Sequence, residues 1–313
     1  MRIVFCGTPE FAVPTLEHLV RAGHEVALVV TQPDRPKGRG GEIAAPPVKL
    51  AAARLGLRVT QPEKIKQNAE FRAELERLAP RAIVVVGYGR IIPQWMIDLP
   101  ELGNLNVHAS LLPKYRGAAP IQWAIARGET RTGVTTMKID AGLDTGDILL
   151  QAAQPIRSES AVTLGPKLAE LGAALLIETL QRLEAGTLTP TPQDDAQATL
   201  APILKKEDGL IDWKRSAIET WNRLRGFQPW PGAYSSFRGK GLQVLDARPA
   251  HEASTLAPGE MASSGGKLLV GCGGGTALEL LEVQVEGKKR MAAGDLVNGY
   301  RPKEGEILGL PAK

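Results

Sequence analysis

The amino-acid sequence predicts an α/β protein in which a Rossmann-like, mostly parallel sheet domain precedes a small OB-like β-barrel domain. Three features predict this fold class. The first part of the chain alternates short apolar runs with stretches of apolar residues at helical spacing, which is typical of parallel sheets covered by helices. After Gly186, a proline-containing segment lacks apolar periodicity and predicts a linker. Short apolar runs between glycine-rich turns follow, as in small barrels.

The first domain is predicted from alternating strands and helices. Residues 2–7 are mostly apolar and end in glycine, which indicates a strand and a turn. Apolar residues then recur at helical spacing from Phe11 to Ala22, and Gly23 ends this helix. The run over 82–87 is apolar throughout, as expected of a strand covered on both faces. The other predicted elements are a strand over 26–31, a helix over 47–55, a short strand over 58–60 and a helix over 69–78.

Ligands of open parallel sheets bind beyond the carboxyl ends of the strands. The reason is that helices cover both faces of such a sheet and leave the strand ends accessible. Binding and chemistry are therefore expected in the loops that follow Cys6, Val30, Val86 and Val107.

The length predicts two domains, because 313 residues suffice for two cores of ordinary size. We expect a first domain over 1–188, a linker over 189–206 and a second domain over 207–313. Within the second domain, the patterns predict a helix over 216–225 and strands over 233–237, 243–247, 267–272 and 277–285.

Composition excludes few function classes but sets useful bounds. The chain carries 38 basic and 34 acidic residues, which is compatible with an anionic partner without requiring one. Its two cysteines, Cys6 and Cys272, have neither disulfide-framework nor metal-ligand spacing, so we expect buried thiols and no metal. The apolar run before Gly7 is too short for a signal peptide, and no run approaches about 18 apolar residues. A cytoplasmic protein is expected.

The loop after the first strand reads Gly7-Thr8-Pro9-Glu10, at the position of a dinucleotide-binding turn. It lacks the G-x-G-x-x-G pattern. Pro9 removes an amide donor and Glu10 adds negative charge where a pyrophosphate needs donors. Nicotinamide dinucleotide binding is therefore disfavoured.

Asn106 and His108 form the strongest candidate pair in the sequence. If residues 105–108 form a strand, the two side chains share one face at its carboxyl end. An amide and an imidazole that titrates near neutrality would then share one cleft. On spacing alone, a hydrogen-bonded structural histidine and a turn-capping asparagine remain the commoner alternative.

Residues 139–147 hold the aspartates Asp140, Asp144 and Asp147 between glycines, which predicts a tight exposed loop. The spacing does not match a calcium-binding EF-hand loop. Turn formation therefore remains the default interpretation for these carboxylates.

Together, Asn106, His108 and Asp144 resemble the catalytic Asn-x-His and distant Asp of the folate-dependent formyltransferases. The segments over 110–120 and 142–146 are similar to the signature of that family. Within the family, members that act on methionyl-tRNA are similar over nearly the whole chain, and the similarity fades in about the last eighty residues. Matching stretches include 7–11, 31–36 and 228–232.

The resemblance implies transfer of a formyl group from the co-substrate 10-formyltetrahydrofolate to the methionine α-amino group of initiator methionyl-tRNA. The product would be N-formylmethionyl-tRNA for translation initiation. Attack on the formyl group creates an oxyanion and a positively charged nitrogen. We assign Asn106 and His108 to the oxyanion, and Asp144 to orientation of His108 and removal of the amine proton. Neither a metal nor a covalent intermediate is implied.

The resemblance also implies binding sites for both substrates. The folate site is expected beside Ser110, Leu111, Leu112 and Pro113, where the leucines would supply wall rather than chemistry. For tRNA, we expect contacts from the basic side chains of the glycine-rich insertion over 34–41. These side chains are Arg35, Lys37 and Arg39.

Two other interpretations remain open. A folate-dependent transferase for a small amine would carry the same three catalytic residues, but would not obviously need the basic insertion or the second domain. A tRNA-binding protein without activity would not need Asn106, His108 and Asp144 intact. We expect the active enzyme to be a monomer.

Overall fold

The computed structural model describes residues 1–37, 42–303 and 305–309 of the chain. These residues form two compact units. The first contains the segments Met1–Ala118, Arg131–Pro155 and Gly165–Ala201. The second contains Ala119–Thr130, Ile156–Leu164 and the chain from Pro202 onwards. Two segments of the amino-terminal part of the sequence therefore belong to the second unit.

The first unit is built on a seven-stranded sheet, accompanied by a separate two-stranded sheet. Its strands are β1 (Arg2–Gly7), β2 (Glu25–Val30), β3 (Arg35–Lys37), β4 (Glu42–Ala44), β5 (Val59–Thr60), β6 (Ala82–Val86), β7 (Asn104–His108), β8 (Arg131–Lys138) and β9 (Ile148–Pro155). The sheet order is β5-β2-β1-β6-β7-β8-β9, and β3 pairs with β4. Neighbouring strands from β5 to β7 in this order are parallel. The last two pairs, β7 with β8 and β8 with β9, are antiparallel. The predicted mostly parallel sheet is confirmed.

Six α-helices lie in the described part of the chain before residue 202. They are α1 (Val13–Arg21), α2 (Pro47–Arg54), α3 (Ala69–Leu78), α4 (Gln94–Ile97), α5 (Pro120–Ala126) and α6 (Ala161–Glu184). Helix α5 belongs to the second unit, and α6 enters the first unit at Gly165. Helix α3 has the predicted bounds. Its start is fixed by Asn68, whose side chain accepts a hydrogen bond from the Phe71 N–H and so satisfies an otherwise unpaired amide.

The core of the first unit lies against the apolar strands. All five residues of β6 are buried, in agreement with the interpretation of 82–87 as a strand covered on both faces. Val4, Ile83 and Leu75 are fully buried in one cluster that joins β1, β6 and α3. Gly172 lets α6 approach the sheet, since a side chain there would meet Val107.

The carboxyl ends of the parallel strands meet in a hydrogen-bonded network. Thr8 Oγ1 and Gln32 Nε2 each donate to the carbonyl oxygen of Tyr88 over 3.1 Å. These residues follow β1, β2 and β6, so three of the loops in which binding was predicted lie at one sheet edge. The fourth follows β7, the neighbour of β6.

The second unit contains an antiparallel sheet with the order β10-β11-β14-β13-β12, and a further strand, β15, pairs with β14. These strands are β10 (Ala233–Phe237), β11 (Lys240–Pro249), β12 (Met261–Ser264), β13 (Lys267–Cys272), β14 (Thr276–Val285) and β15 (Met291–Ala292). Its helices are completed by α7 (Ala217–Gly226) and α8 (Ala293–Tyr300). Helix α7 begins with a reciprocal capping box between Ser216 and Glu219. Among the described residues, no helix is both long and apolar enough to span a membrane.

Candidate active site

Asn106 and His108 occupy alternate positions at the end of β7, a strand in the interior of the first sheet. Asn106 pairs across the sheet with Val85 on β6 and Met137 on β8. His108 is only 6 % exposed, whereas Asn106 is half-buried. Because both side chains contact the same carboxylate, the predicted common face of the two residues is confirmed.

That carboxylate belongs to Asp144, in the loop between β8 and β9. Asn106 Nδ2 donates to Asp144 Oδ1 over 3.4 Å, and His108 Nδ1 lies 3.7 Å from Asp144 Oδ2. The backbone N–H of Gly117 donates to Oδ2 over 2.8 Å. The structure thus brings together the three side chains that the sequence selected as catalytic.

The partner of His108 determines which ring nitrogen faces this carboxylate. His108 Nε2 lies 2.9 Å from the carbonyl oxygen of Tyr115. A carbonyl oxygen can only accept, so Nε2 carries a hydrogen and donates it. In the neutral ring the lone pair is then on Nδ1, the nitrogen beside Asp144. In the imidazolium, Nδ1 becomes a donor at the same position.

Asp140, in the same loop, has different surroundings. Asp140 Oδ1 accepts from the Gly142 N–H and from Thr145 Oγ1, so this carboxylate stabilises the turn. Gly146 makes a close backbone approach possible, because a Cβ there would lie 2.0 Å from the carbonyl oxygen of Lys138. The turn interpretation therefore holds for Asp140, while Asp144 faces the candidate site.

The segment predicted to bind folate is held by internal hydrogen bonds. Ser110 Oγ donates to the carbonyl oxygen of Lys114 over 2.6 Å. Leu112 donates its N–H to Thr135 Oγ1 and accepts from Gln151 Nε2 at its carbonyl oxygen. Ser110 and Leu112 are buried, whereas Leu111 and Pro113 are partly exposed, and the Leu112–Pro113 peptide bond is cis. Because Ser110 Oγ and the Leu112 main chain already form hydrogen bonds within the protein, these residues can form the wall of a binding site more readily than they can donate hydrogen bonds to a ligand.

The described residues at the two ends of the basic insertion form an antiparallel strand pair, with Arg35 opposite Ala44 and Lys37 opposite Glu42. Arg35 is exposed, and its Nη2 donates to Gln32 Oε1 over 3.4 Å. Lys37 lies at the end of β3. Arg39 lies outside the described residues, so the structure does not address that prediction.

The two cysteine thiols have no role at this site. Both are buried. Burial raises the pKa of the Cys6 thiol above its ordinary value and raises the pKa of Cys272 to about 11. Both therefore remain protonated near neutrality and are poor nucleophiles.

Sequence reasoning missed four residues that complete the surroundings of the catalytic candidates. Tyr115 and Gly117 lie in the segment already recognised as similar to the family signature, and their main-chain groups contact His108 and Asp144. Arg116 donates a hydrogen bond to the side chain of Gln193, which in turn donates to the main chain of Asp144. Main-chain contacts leave no residue-type signal, and Gln193 is 49 positions from Asp144.

Two family models match this chain. Residues 1–180 match the family model described as "Formyl transferase", and residues 203–301 match "Formyl transferase, C-terminal domain". The chain therefore belongs to the formyl transferase family.

Within this family, the chain belongs with the methionyl-tRNA formyltransferases. It is 69 % identical to the methionyl-tRNA formyltransferase of Koribacter versatilis over 310 residues, which are 99 % of each chain. The enzyme of the same name from Acidobacterium capsulatum is 61 % identical, over 96 % of this chain and 96 % of its own. That from Solibacter usitatus is 60 % identical, over 99 % of each chain.

Solved structures with lower identity show the same fold. An N-formyltransferase from Helicobacter canadensis, in complex with folinic acid and dTDP-3-aminofucose, has a TM-score of 0.68 at 19 % identity, covering 89 % of this chain and 98 % of its own. HypX from Aquifex aeolicus, in complex with tetrahydrofolic acid, has a TM-score of 0.63 at 20 % identity, covering 100 % of this chain and 48 % of its own.

Proposed function

We propose that the protein transfers the formyl group of 10-formyltetrahydrofolate to the α-amino group of methionine on initiator methionyl-tRNA. The observation that carries this proposal is the convergence of Asn106, His108 and Asp144 at one strand end. It occurs in a chain that is 69 % identical to a methionyl-tRNA formyltransferase over its length. The product is N-formylmethionyl-tRNA for translation initiation.

The chemistry begins with the free amine, since an ammonium group has no lone pair for attack. The pKa of an α-amino group is roughly 7.7–8.0, so part of the substrate is unprotonated near neutrality. A bond forms between this nitrogen and the formyl carbon, and the bond from the formyl carbon to N10 of the folate breaks. The amine loses a proton and N10 gains one, so the site must stabilise an oxyanion and move a proton.

Asn106 is suited to the oxyanion. Its amide is preoriented by the carboxylate of Asp144, but the 3.4 Å contact is long for a hydrogen bond and leaves the amide available to a substrate oxygen. A preorganised donor at such a position contributes about 10²–10³ in rate.

His108 acts through Nδ1, because its Nε2–H is engaged by Tyr115. The resemblance implies that Asp144 helps to remove the amine proton, and we propose that it does so through His108. The neutral ring accepts the amine proton at Nδ1, and the imidazolium then donates at that atom to the oxyanion or to N10. Asp144 Oδ2, 3.7 Å away, stabilises the imidazolium by charge and holds the ring orientation.

For the folate, we propose a slot beside Ser110, Leu111, Leu112 and Pro113. The cis Leu112–Pro113 turn and the buried Leu112 provide a rigid apolar wall. Ile91, in the loop after β6, is 91 % exposed and offers a further apolar surface. Two proteins of the same fold have been solved in complex with folates, HypX with tetrahydrofolic acid and the Helicobacter canadensis N-formyltransferase with folinic acid.

For the tRNA, we propose contacts from Arg35, Lys37 and Arg39. The proposed domain division assigns catalysis to 1–188, a linker to 189–206 and a tRNA-contacting OB-like barrel to 207–313. Bridges from Ile307 to Glu260 and from Gly309 to Ser236, at opposite edges of the second sheet, support a barrel-like arrangement. We further propose that the enzyme is monomeric and cytoplasmic.

Formyl transfer from labelled 10-formyltetrahydrofolate tests the acceptor. Purified protein would be offered initiator methionyl-tRNA, elongator methionyl-tRNA and glycinamide ribonucleotide in parallel. Label on initiator tRNA alone is the expected result. Label on the small amine would retain the chemistry and refute the acceptor, and no label on any acceptor would refute the activity.

A further inference from the structure

The side chain of Gln193 is attached to the backbone of the Asp144 loop. Its Nε2 donates to the carbonyl oxygen of Asp144 over 2.8 Å and to that of Gly146 over 2.7 Å. Both amide hydrogens are therefore used, and they hold the residues on either side of Thr145. Gln193 lies in the segment predicted as a linker, outside the strands and helices that carry the catalytic candidates.

Arg116 fixes the other end of the same amide. Its Nε and Nη2 donate to Gln193 Oε1 over 3.0 and 2.8 Å, and Nη2 also donates to Asp195 Oδ1. Arg116 is only 7 % exposed, so this cation is held where water competes weakly. Both hydrogens of the Gln193 amide and both acceptor positions of its oxygen are therefore in use. The amide has only one favourable orientation, because a flip would place its NH₂ group against a guanidinium and its oxygen against two carbonyl oxygens.

Asp144 is held both at its side chain and at its main chain. The N–H of Gly117, the residue after Arg116, donates to the Asp144 carboxylate, while Gln193 holds the Asp144 main chain. A reciprocal backbone pair between Thr191 and Ile148 anchors the Gln193 segment to the start of β9.

Asp144 needs such support because its backbone is left-handed, with φ = 52°. Residues other than glycine occupy this region sparsely and persist there when surrounding contacts over-determine the conformation. Without the two hydrogen bonds from Gln193, the loop can relax towards commoner angles, which moves the carboxylate relative to His108 and Asn106.

We propose that Gln193, oriented by Arg116, is a positioning residue that sets the Asp144 carboxylate against His108 Nδ1 and Asn106 Nδ2. It acts through Asp144 and does not touch the reacting atoms. This inference rests on the proposed function, and it assigns a role in catalysis to the segment between α6 and the second unit.

Gln193→Glu tests the donor role directly. The variant keeps the side-chain length and can pair with Arg116, but it turns a carboxylate oxygen towards two carbonyl oxygens. We expect kcat to fall about 10- to 100-fold, the scale associated with displacements near 1 Å, while KM for both substrates changes little. Gln193→Met removes the donors without adding charge and should give the same pattern.

Gln197→Glu is the matched control. It makes the same charge change four positions away, on an exposed side chain that donates to Asp194. It should leave kcat unchanged.

A double-mutant cycle separates positioning from a merely structural effect. In an Asp144→Asn background, Gln193→Glu should lower kcat less than about 3-fold further, because the group being positioned has already lost its charge. Wild-type kcat in both Gln193 variants, a change confined to KM, or a full multiplicative loss in the Asp144→Asn background would each overturn the proposal.

A second readout does not depend on turnover. The imidazole NMR signals of His108, one of four histidines, can be assigned from the spectrum of a His108→Asn variant. Because they report the surroundings of the ring, their chemical shifts should change in Gln193→Glu and not in Gln197→Glu, and unchanged shifts in Gln193→Glu would overturn the proposal. If the wild type formylates no acceptor, the proposed function fails, and this measurement still decides the positioning role.

Discussion

His108 Nε2 lies 2.9 Å from the carbonyl oxygen of Tyr115, so the ring presents Nδ1 to Asp144. This contact gives the two nitrogens different tasks. In the proposed mechanism, Nε2 holds the ring in place and Nδ1 exchanges the proton. The sequence alone does not distinguish the two nitrogens of His108, because the distinction depends on a main-chain oxygen.

Replacing His108 with glutamine should remove most turnover. The glutamine Nε2 can still reach the Tyr115 carbonyl oxygen, but no group remains at the Nδ1 position. We expect kcat to fall by about 10²–10⁴, the usual contribution of a positioned proton-transfer group, with tRNA affinity nearly intact. Single-turnover formylation and tRNA binding by filter retention would measure the two quantities. His251→Gln, at an exposed site, serves as the control, and equal losses in the two variants would contradict the role of His108.

Asn106→Ala should lower kcat by about 10²–10³ through loss of the oxyanion donor. Asn106→Asp should be at least as poor, because a second carboxylate would then face Asp144 at the position now 3.4 Å from Oδ1. Steady-state kinetics with both substrates would separate kcat from KM. A wild-type rate in Asn106→Ala would exclude the oxyanion assignment.

Arg35→Ala should weaken use of tRNA more than use of folate. Arg35 is exposed, and its hydrogen bond to Gln32 is long at 3.4 Å, so its charge is available to phosphate. We expect KM for tRNA to rise with kcat nearly unchanged. The slope of the logarithm of tRNA affinity against the logarithm of salt concentration should fall by about one, as for the loss of one phosphate contact. Arg39→Ala should behave similarly. The exposed Arg21 provides a control, and an identical tRNA affinity in Arg35→Ala would contradict the proposed contact.

Local patterns predicted the elements that carry the site. Residues 69–78 form α3 with the expected bounds, and the apolar run predicted as a strand over 82–87 forms the buried strand β6 over 82–86. The alternation of Asn106 and His108 along β7 follows from strand geometry alone. These features depend on neighbours in sequence, which is why a single chain reveals them.

Long-range partners were beyond such reasoning. The linker interpretation of the segment after Gly186 rested on prolines and missing periodicity, yet Gln193 and Thr199 in that segment hydrogen-bond to the loops around Asp144 and Tyr115. No apolar repeat marks residues that act through one amide or hydroxyl. The assignment of Ala119–Thr130 to the second unit is equally non-local, because it depends on tertiary packing against residues beyond 202.

Stability of the second unit should depend on the ion pair between Glu306 and Arg238. The guanidinium donates to both carboxylate oxygens, over 2.6 and 2.8 Å, and the Lys303 N–H donates over 3.0 Å. The hydrogen bonds from Arg238, together with that from Lys303, lower the pKa of Glu306 from 4.5 to about 2. Because the folded pKa is the lower one, the stabilisation is fully present above pH 4.5 and is lost as the pH falls towards 2.

Glu306→Gln should therefore lower the melting temperature at pH 7, and the difference from wild type should shrink by pH 3.5, where the wild-type carboxylate has lost part of its advantage. Thermal unfolding followed by circular dichroism at both pH values would measure this. Glu252→Gln, at an exposed position, controls for the loss of one negative charge. A melting-temperature difference of the same size at both pH values would mean that the variant acts by disturbing the 306–309 segment, which pairs with both sheet edges, and not by removing an ionised partner of Arg238.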